Sequence, residues 1–281
     1  MIKTPLSTVL GGAFWTPEAT VINGAKLSFE TVMKKLFANN EQGFFYDPND
    51  LSTMYQDAAG NIPVTDAGQP VGLIRDKSGR NNHAFATSSA TRPILRKNAT
   101  TGAYYLEFDG SDDFLVTSSI NFTATDKISL FAGVVKFATS VRILCELSAD
   151  MNTNAGSFYL TAPETADGRY GFKSRGSGLS NAAMTALSSA TSANDAAVIS
   201  ASGNISEDTN KIRRNAVATS STYELGVGNY GNYPLYIGRR AGSSLPFNGH
   251  LYSLIGVARL STDAETTNLE KAIAKNVGVT L

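Results

Sequence analysis

Over residues 43–260 the chain is a succession of short strand-like runs, each closed by a turn residue, and no long helical period interrupts them. Residues 103–108, 128–135 and 235–238 are the clearest runs, and Asp-Gly, Ser-Gly, Asn-Gly and Pro punctuate the series at hairpin-like intervals. Such a chain must satisfy its backbone between neighbouring strands and bury one face of each. The pattern excludes an alternating strand–helix architecture and predicts an all-β sandwich or barrel. Residues 174–221, dominated by Ser, Ala, Thr and Asn, still contain the strand-like run 196–201, so they read as small-residue strands with long loops rather than a linker.

Composition narrows the partners. The 281 residues are only 17% charged, and Lys plus Arg equals Asp plus Glu at 24 each. This balance supplies no field to draw in nucleic acid or an anionic membrane, so neither is expected as a partner. No run of 18 apolar residues exists to span a bilayer. No secretory leader is legible at the N-terminus, and folding in a cytosol-like compartment is expected. The single cysteine, Cys145, rules out a disulfide framework and reads as a small buried hydrophobe in an apolar stretch.

Both ends depart from the strand pattern. The first 26 residues, broken by Pro5, Gly11, Gly12, Pro17 and Gly24, read as an extended arm. Phe29, Val32, Met33, Leu36 and Phe37 then mark one face of a short helix, with Ser28 placed as its N-cap. That helix either packs on its own domain or docks on a larger assembly. Phe14 and Trp15, two aromatics on an arm, call for a partner surface, and with Phe29, Met33 and Phe37 they form the candidate anchor. At the other end Thr262 and Glu265 have capping-box spacing, Leu269 and Ile273 share a face, and Gly278 is a stop signal, which predicts a helix over 263–276.

Four ordered segments carry a family resemblance. They are residues 43–53 with Asp76-Lys77-Ser78-Gly79-Arg80-Asn81-Asn82-His83-Ala84, residues 106–114 (Leu-Glu-Phe-Asp-Gly-Ser-Asp-Asp-Phe), residues 228–240, and residues 247–255 running into the terminal helix. Together they resemble the laminin-G-like branch of the concanavalin A-like jelly rolls, in the versions found among tail or virion proteins of tailed phages and prophages. The resemblance implies a jelly-roll β-sandwich over 43–281, preceded by an anchoring arm and helix over 1–42. Where the family often has Arg-x-Asn-Gly, this chain has Arg213-Arg214-Asn215-Ala216, so that turn is expected to differ.

Several constellations bear on chemistry. Glu107, Asp109 and Asp112 lie near the spacing of jelly-roll glucanases, whose retaining mechanism needs two carboxylates roughly 5–5.5 Å apart. The shorter Asp112, the Gly110-Ser111 turn and the lack of a Trp platform argue against that chemistry. Asp109, Asp112 and Asp113, with Asn81, Asn82 or Asp76, offer hard oxygens suited to calcium, without the spacing of a dedicated calcium loop. His83 and His250 read as turn-flanking polar residues. Tyr223, Tyr230, Tyr233 and Tyr236, interleaved with Asn229 and Asn232 and followed by Arg239-Arg240, suit a glycan, a protein interface or a strand of the core. Tyr230, Tyr233, Asn232 and Arg239 are the candidate ligand contacts.

The function expected from the resemblance is non-enzymatic: a tail-associated virion module, anchored by its arm and displaying a lectin-like sandwich toward host surface glycan. A capsid or tail decoration protein acting through protein contacts is the alternative, followed by a cellular lectin and, last, a glycoside hydrolase. Other virion proteins and further copies of the chain are the expected partners. No cofactor is required, with calcium the one candidate.

Overall fold

The computed structural model describes residues 29–179 and 185–281, so the arm with Phe14, Trp15 and Ser28 lies outside the described residues. Helix α1 (Phe29–Leu36) forms where the apolar spacing places it, with Met33 and Phe37 buried. Residues 36–281 are a compact unit of two antiparallel sheets.

The first sheet is built on its two longest strands, β8 (Lys127–Phe137) and β13 (Asn194–Asn204), which pair over eleven residues. Its order is β15 (Val217–Thr222), β14 (Thr209–Arg214), β13, β8, β17 (Asn248–Val257), β6 (Tyr104–Asp109) and β5 (Ile94–Lys97). Strand β1 (Gly43–Tyr46) pairs with the second half of β17, while β6 pairs with its first half. The second sheet runs β12 (Ala186–Leu187), β11 (Gly171–Arg175), β10 (Ser157–Thr161), β9 (Ile143–Leu147), β16 (Asn232–Ile237), β7 (Leu115–Asn121), β4 (Ala84–Phe85), β3 (Leu73–Ile74) and β2 (Met54–Tyr55).

Alternation along the strands fills the space between the sheets. Ile128, Leu130, Ala132 and Val134 of β8 point into a core that also holds Phe44, Phe108, Phe158, Phe172 and Phe247. Cys145 belongs to this core, and burial pushes its thiol far above the usual range, which makes it an inert hydrophobe as expected. The fold is thus the all-β jelly-roll sandwich that the turn-punctuated pattern calls for.

The outward face of the first sheet is covered by α2 (Asp263–Val277), one residue longer than predicted. Its capping box is complete: Glu265 donates its backbone N–H to Thr262 Oγ1, and Thr262 returns one to Glu265 Oε2. Gly278 ends the helix in the left-handed conformation, φ 85°. Gly133 of β8 lets the helix close in, since a Cβ there would lie 2.7 Å from Ile273 Cγ2. Arg259 ties this region together by donating to Leu36 O, to Glu41 and to both carboxylate oxygens of Glu265.

The departure at Ala216 has a local consequence. Strands β14 and β15 are joined by only Asn215 and Ala216, both at positive φ (48° and 67°), so this connection is a tight hairpin and not a long loop. Asn215 tolerates the conformation and accepts a hydrogen bond from Val198 N, whereas alanine pays for its Cβ. Ala216→Gly is expected to stabilise the fold by about 0.5–1 kcal/mol, read as a higher urea midpoint at unchanged slope.

Candidate functional site

The tyrosine cluster does not assemble into one surface. Tyr230 is 1% exposed, shares a hydrogen bond with Ser174 Oγ and meets the Phe158 ring edge-on, so it is a core residue and not a platform for a ligand. Its burial reflects the space left by Gly203, where a Cβ would sit 2.5 Å from the Tyr230 hydroxyl. Tyr233 is half-buried and donates to Ala155 O, while Asn232 stands exposed at the start of β16. Arg239 turns away from them, donating to Ser243 O and reaching Asp112 O at 3.5 Å.

The three aspartates, in contrast, converge. After β6 the chain turns at Gly110 (φ 79°), and ligand oxygens of Asp109, Asp112 and Asp113 lie within 4.8 Å of one another. Asp113 is buried, and its Oδ2 accepts from Asp109 N; Asp109 Oδ1 accepts from Ser111 N and Asp112 N. Burial, reinforced by the charges of Asp109, Asp112 and Glu107, pushes the Asp113 carboxyl up to about 7. The oxygens not engaged in these bonds are hard donors of the kind calcium takes, with water completing the shell.

A raised folded-state pKa means that Asp113 favours the native state while protonated and ceases to as pH rises through its folded value. With chelator present, stability is therefore expected to fall by on the order of 2 kcal/mol between pH 5 and pH 8, and Asp113→Asn to flatten that profile. A profile equally steep in the variant would assign the dependence to another group.

Glu107 is ion-paired with Arg96 on the outward face of the first sheet. His250 lies within β17, stacked on Tyr105 at 4.0 Å, not beside a turn as its Asn-Gly neighbours suggest. Its burial there holds the imidazole pKa below the ordinary value.

A broad concavity lies elsewhere on the sandwich. Residues Tyr55, Leu73, Phe85, Val116 and Tyr236 are register partners on successive strands of the second sheet, and together they form an outward-facing row. Over Leu73 and Phe85 the row becomes the floor of a groove of about 690 Å³, lined also by Ala58, Ala59, Arg75, Asp76, Asn81, His83 and Ser118. The β2–β3 loop supplies Ala58 and Ala59. It is held by Asp57, whose carboxylate accepts from the backbone N–H groups of Asn61 and Ile62.

The β3–β4 loop supplies Asn81 and His83, and Asp76 is its hub. Asp76 Oδ1 accepts from Phe45 N and Ser78 N, and Oδ2 accepts from Ser78 Oγ and Asn82 N. Asp76 N in turn donates to His83 Nδ1, which leaves the imidazole proton of the neutral ring on Nε2. An apolar floor with polar donors around it can stack a ring and orient its edges. Sequence reading used the segment Asp76 to Ala84 as a mark of the fold and offered Asp76, Asn81 and Asn82 as further oxygens for the aspartate turn; the structure instead commits Asp76 to this loop and puts Asn81 in the groove lining. The groove escapes sequence reading because β2, β3 and β4 are two residues each, too short for alternation to show which side chains face out.

No family model and no curated protein matches the sequence. Among solved structures, botulinum neurotoxin type C is similar over 86% of this chain and 53% of that chain, at 11% identity and a TM-score of 0.54. The binding domain of botulinum neurotoxin serotype D is similar over 84% and 52%, at 9% identity and a TM-score of 0.53. This chain thus spans about half the length of those chains, and the likeness bears on the fold alone: a two-sheet jelly-roll sandwich.

Proposed function

We propose that this chain is a non-catalytic carbohydrate-binding module that takes its glycan in the groove over Leu73 and Phe85. The observation that carries this reading is the half-buried Phe85 beside Leu73, ringed by Arg75, Asn81, His83 and Ser118. A sugar ring stacks its C–H face on the aromatic and hydrogen-bonds at its edge. The similar fold in botulinum neurotoxin type C, whose passage into cells depends upon interaction with two ganglioside molecules, supports it. The engagement of Glu107 with Arg96 supports binding over hydrolysis. Calcium at Asp109, Asp112 and Asp113 would stabilise the neighbouring end of the sandwich, away from the groove residues.

In this reading such a module belongs to a tailed-phage particle, with residues 1–42 as its anchor, and the segments that resemble phage tail and virion proteins are what support it. A decoration role through protein contacts draws on the outer edge of β15, where Val217 at its start and Tyr223 just past its end are both exposed. Binding of the full chain to a panel of bacterial surface glycans tests the choice. Saturable binding is expected, weakened at least tenfold by Phe85→Ala while the circular dichroism spectrum is retained. Binding indifferent to Phe85 would overturn the assignment to this groove.

A further inference from the structure

The groove has a sign. Arg75 is exposed on its wall, with the guanidinium carbon 4.6 Å from the centre of the Tyr55 ring. Stacked on that face, the planar group keeps its N–H edge free for a ligand. No carboxylate pairs with Arg75 among the described residues. Acids of the two loops that form the walls are committed elsewhere, Asp76 to three backbone N–H groups and the Ser78 hydroxyl, and Asp57 to Asn61 and Ile62. Gly60 of the β2–β3 loop lies alongside the cation: a Cβ there would be in ordinary contact, 3.9 Å, with Arg75 Nη2.

The other polar groups of the lining point to the same chemistry. The His83 ring has its acceptor nitrogen occupied by Asp76 N and is left with a donor. Ser118 and Asn81 add a hydroxyl and an amide. A site with an unpaired guanidinium, further donors and an apolar floor is complementary to a ring that carries two coplanar acceptor oxygens.

We infer that the groove selects an acidic glycan, a sugar bearing a carboxylate, and that Arg75 is the residue that reads the carboxylate. The inference rests on the groove being the carbohydrate site. A neutral sugar could use the floor equally well, but it would leave the guanidinium without a counter-charge. A sulfated sugar shares the charge but not the planar pair of oxygens that matches the fork of arginine.

The test uses the full chain and matched probes: sialyllactose against lactose, trigalacturonate against its carboxyl-reduced form, and a sulfated lactose. Titration calorimetry is expected to show at least one carboxylated probe bound about tenfold or more tightly than its neutral partner, with the gap narrowing as salt is raised. Arg75→Gln should erase that gap, weakening the carboxylated probe far more than its neutral partner, and Arg75→Lys should restore only part of it. Because the side chain of Arg75 makes no hydrogen bond among the described residues and its stacking on Tyr55 is exposed, the variant is expected to melt only slightly below the wild type.

Equal affinity for both members of each pair, still lost in Phe85→Ala, would overturn the charge selection and leave the carbohydrate reading standing. A sulfated probe bound as tightly as the carboxylated one would reduce the role of Arg75 to general anion attraction and overturn the carboxylate claim. Failure of every probe to bind at millimolar concentration would overturn the groove reading and the inference with it.

Discussion

Asp76→Ala is expected to destabilise the sandwich by about 3–5 kcal/mol and to abolish binding in the groove, in contrast with Arg75→Gln one residue earlier, which should change binding with little effect on stability. Asp76 is buried, and its two oxygens accept from Phe45 N, Ser78 N, Ser78 Oγ and Asn82 N. Truncation leaves three backbone N–H groups without acceptors, and each unsatisfied buried group costs about 1–3 kcal/mol, reduced where water can enter. Phe45 belongs to β1, so the same loss frees the loop from the first sheet and lets His83 and Asn81 drift from the floor. Asp76→Asn separates geometry from charge: the amide oxygen can keep two of the bonds, while its NH₂ confronts the Asn82 N–H. An intermediate loss is expected from urea denaturation, and a loss below about 1 kcal/mol in the alanine variant would mean that water already substitutes for the carboxylate.

What the sequence discloses and what it conceals divide along a physical line. The terminal helix is legible because its determinants are local: Thr262 and Glu265 three residues apart, and Gly278 at the stop. Strand β8 is legible because residues 128–135 form one unbroken, largely apolar run, buried on both faces between the core and the terminal helix. Tyr230 is misplaced as a surface residue because the Ser174 hydroxyl and the gap at Gly203 that receive it come from distant strands. The groove is assembled the same way, from Ala58 to Ser118 across three very short or partly paired strands, and only the register of Tyr55, Leu73, Phe85 and Val116 reveals a common face. The three aspartates fall between these cases. Their proximity is written into a single turn, but the burial of Asp113 and its raised carboxyl pKa are tertiary facts.

The helix that covers the first sheet depends on a charged contact that composition alone does not suggest. Glu270, 1% exposed, accepts from Ser200 Oγ at 2.5 Å and from Arg213 at 2.7 and 2.9 Å through the Nε and Nη2 fork. The carboxylate beside it holds the Arg213 guanidinium above its ordinary pKa. Glu270→Ala is expected to cost about 3 kcal/mol, because it strands a partly buried cation and a buried hydroxyl beneath α2. Arg213→Ala is expected to cost as much, since it leaves the carboxylate buried with only Ser200. If the pair sets geometry more than it adds net energy, replacing both with methionine should recover most of the loss, as the desolvation of two charges is then no longer required. A double variant as unstable as the sum of the singles would instead mean that the bond itself holds the helix on β13 and β14, and that the apolar contacts of Leu269, Ile273 and Val277 are too few to do so alone.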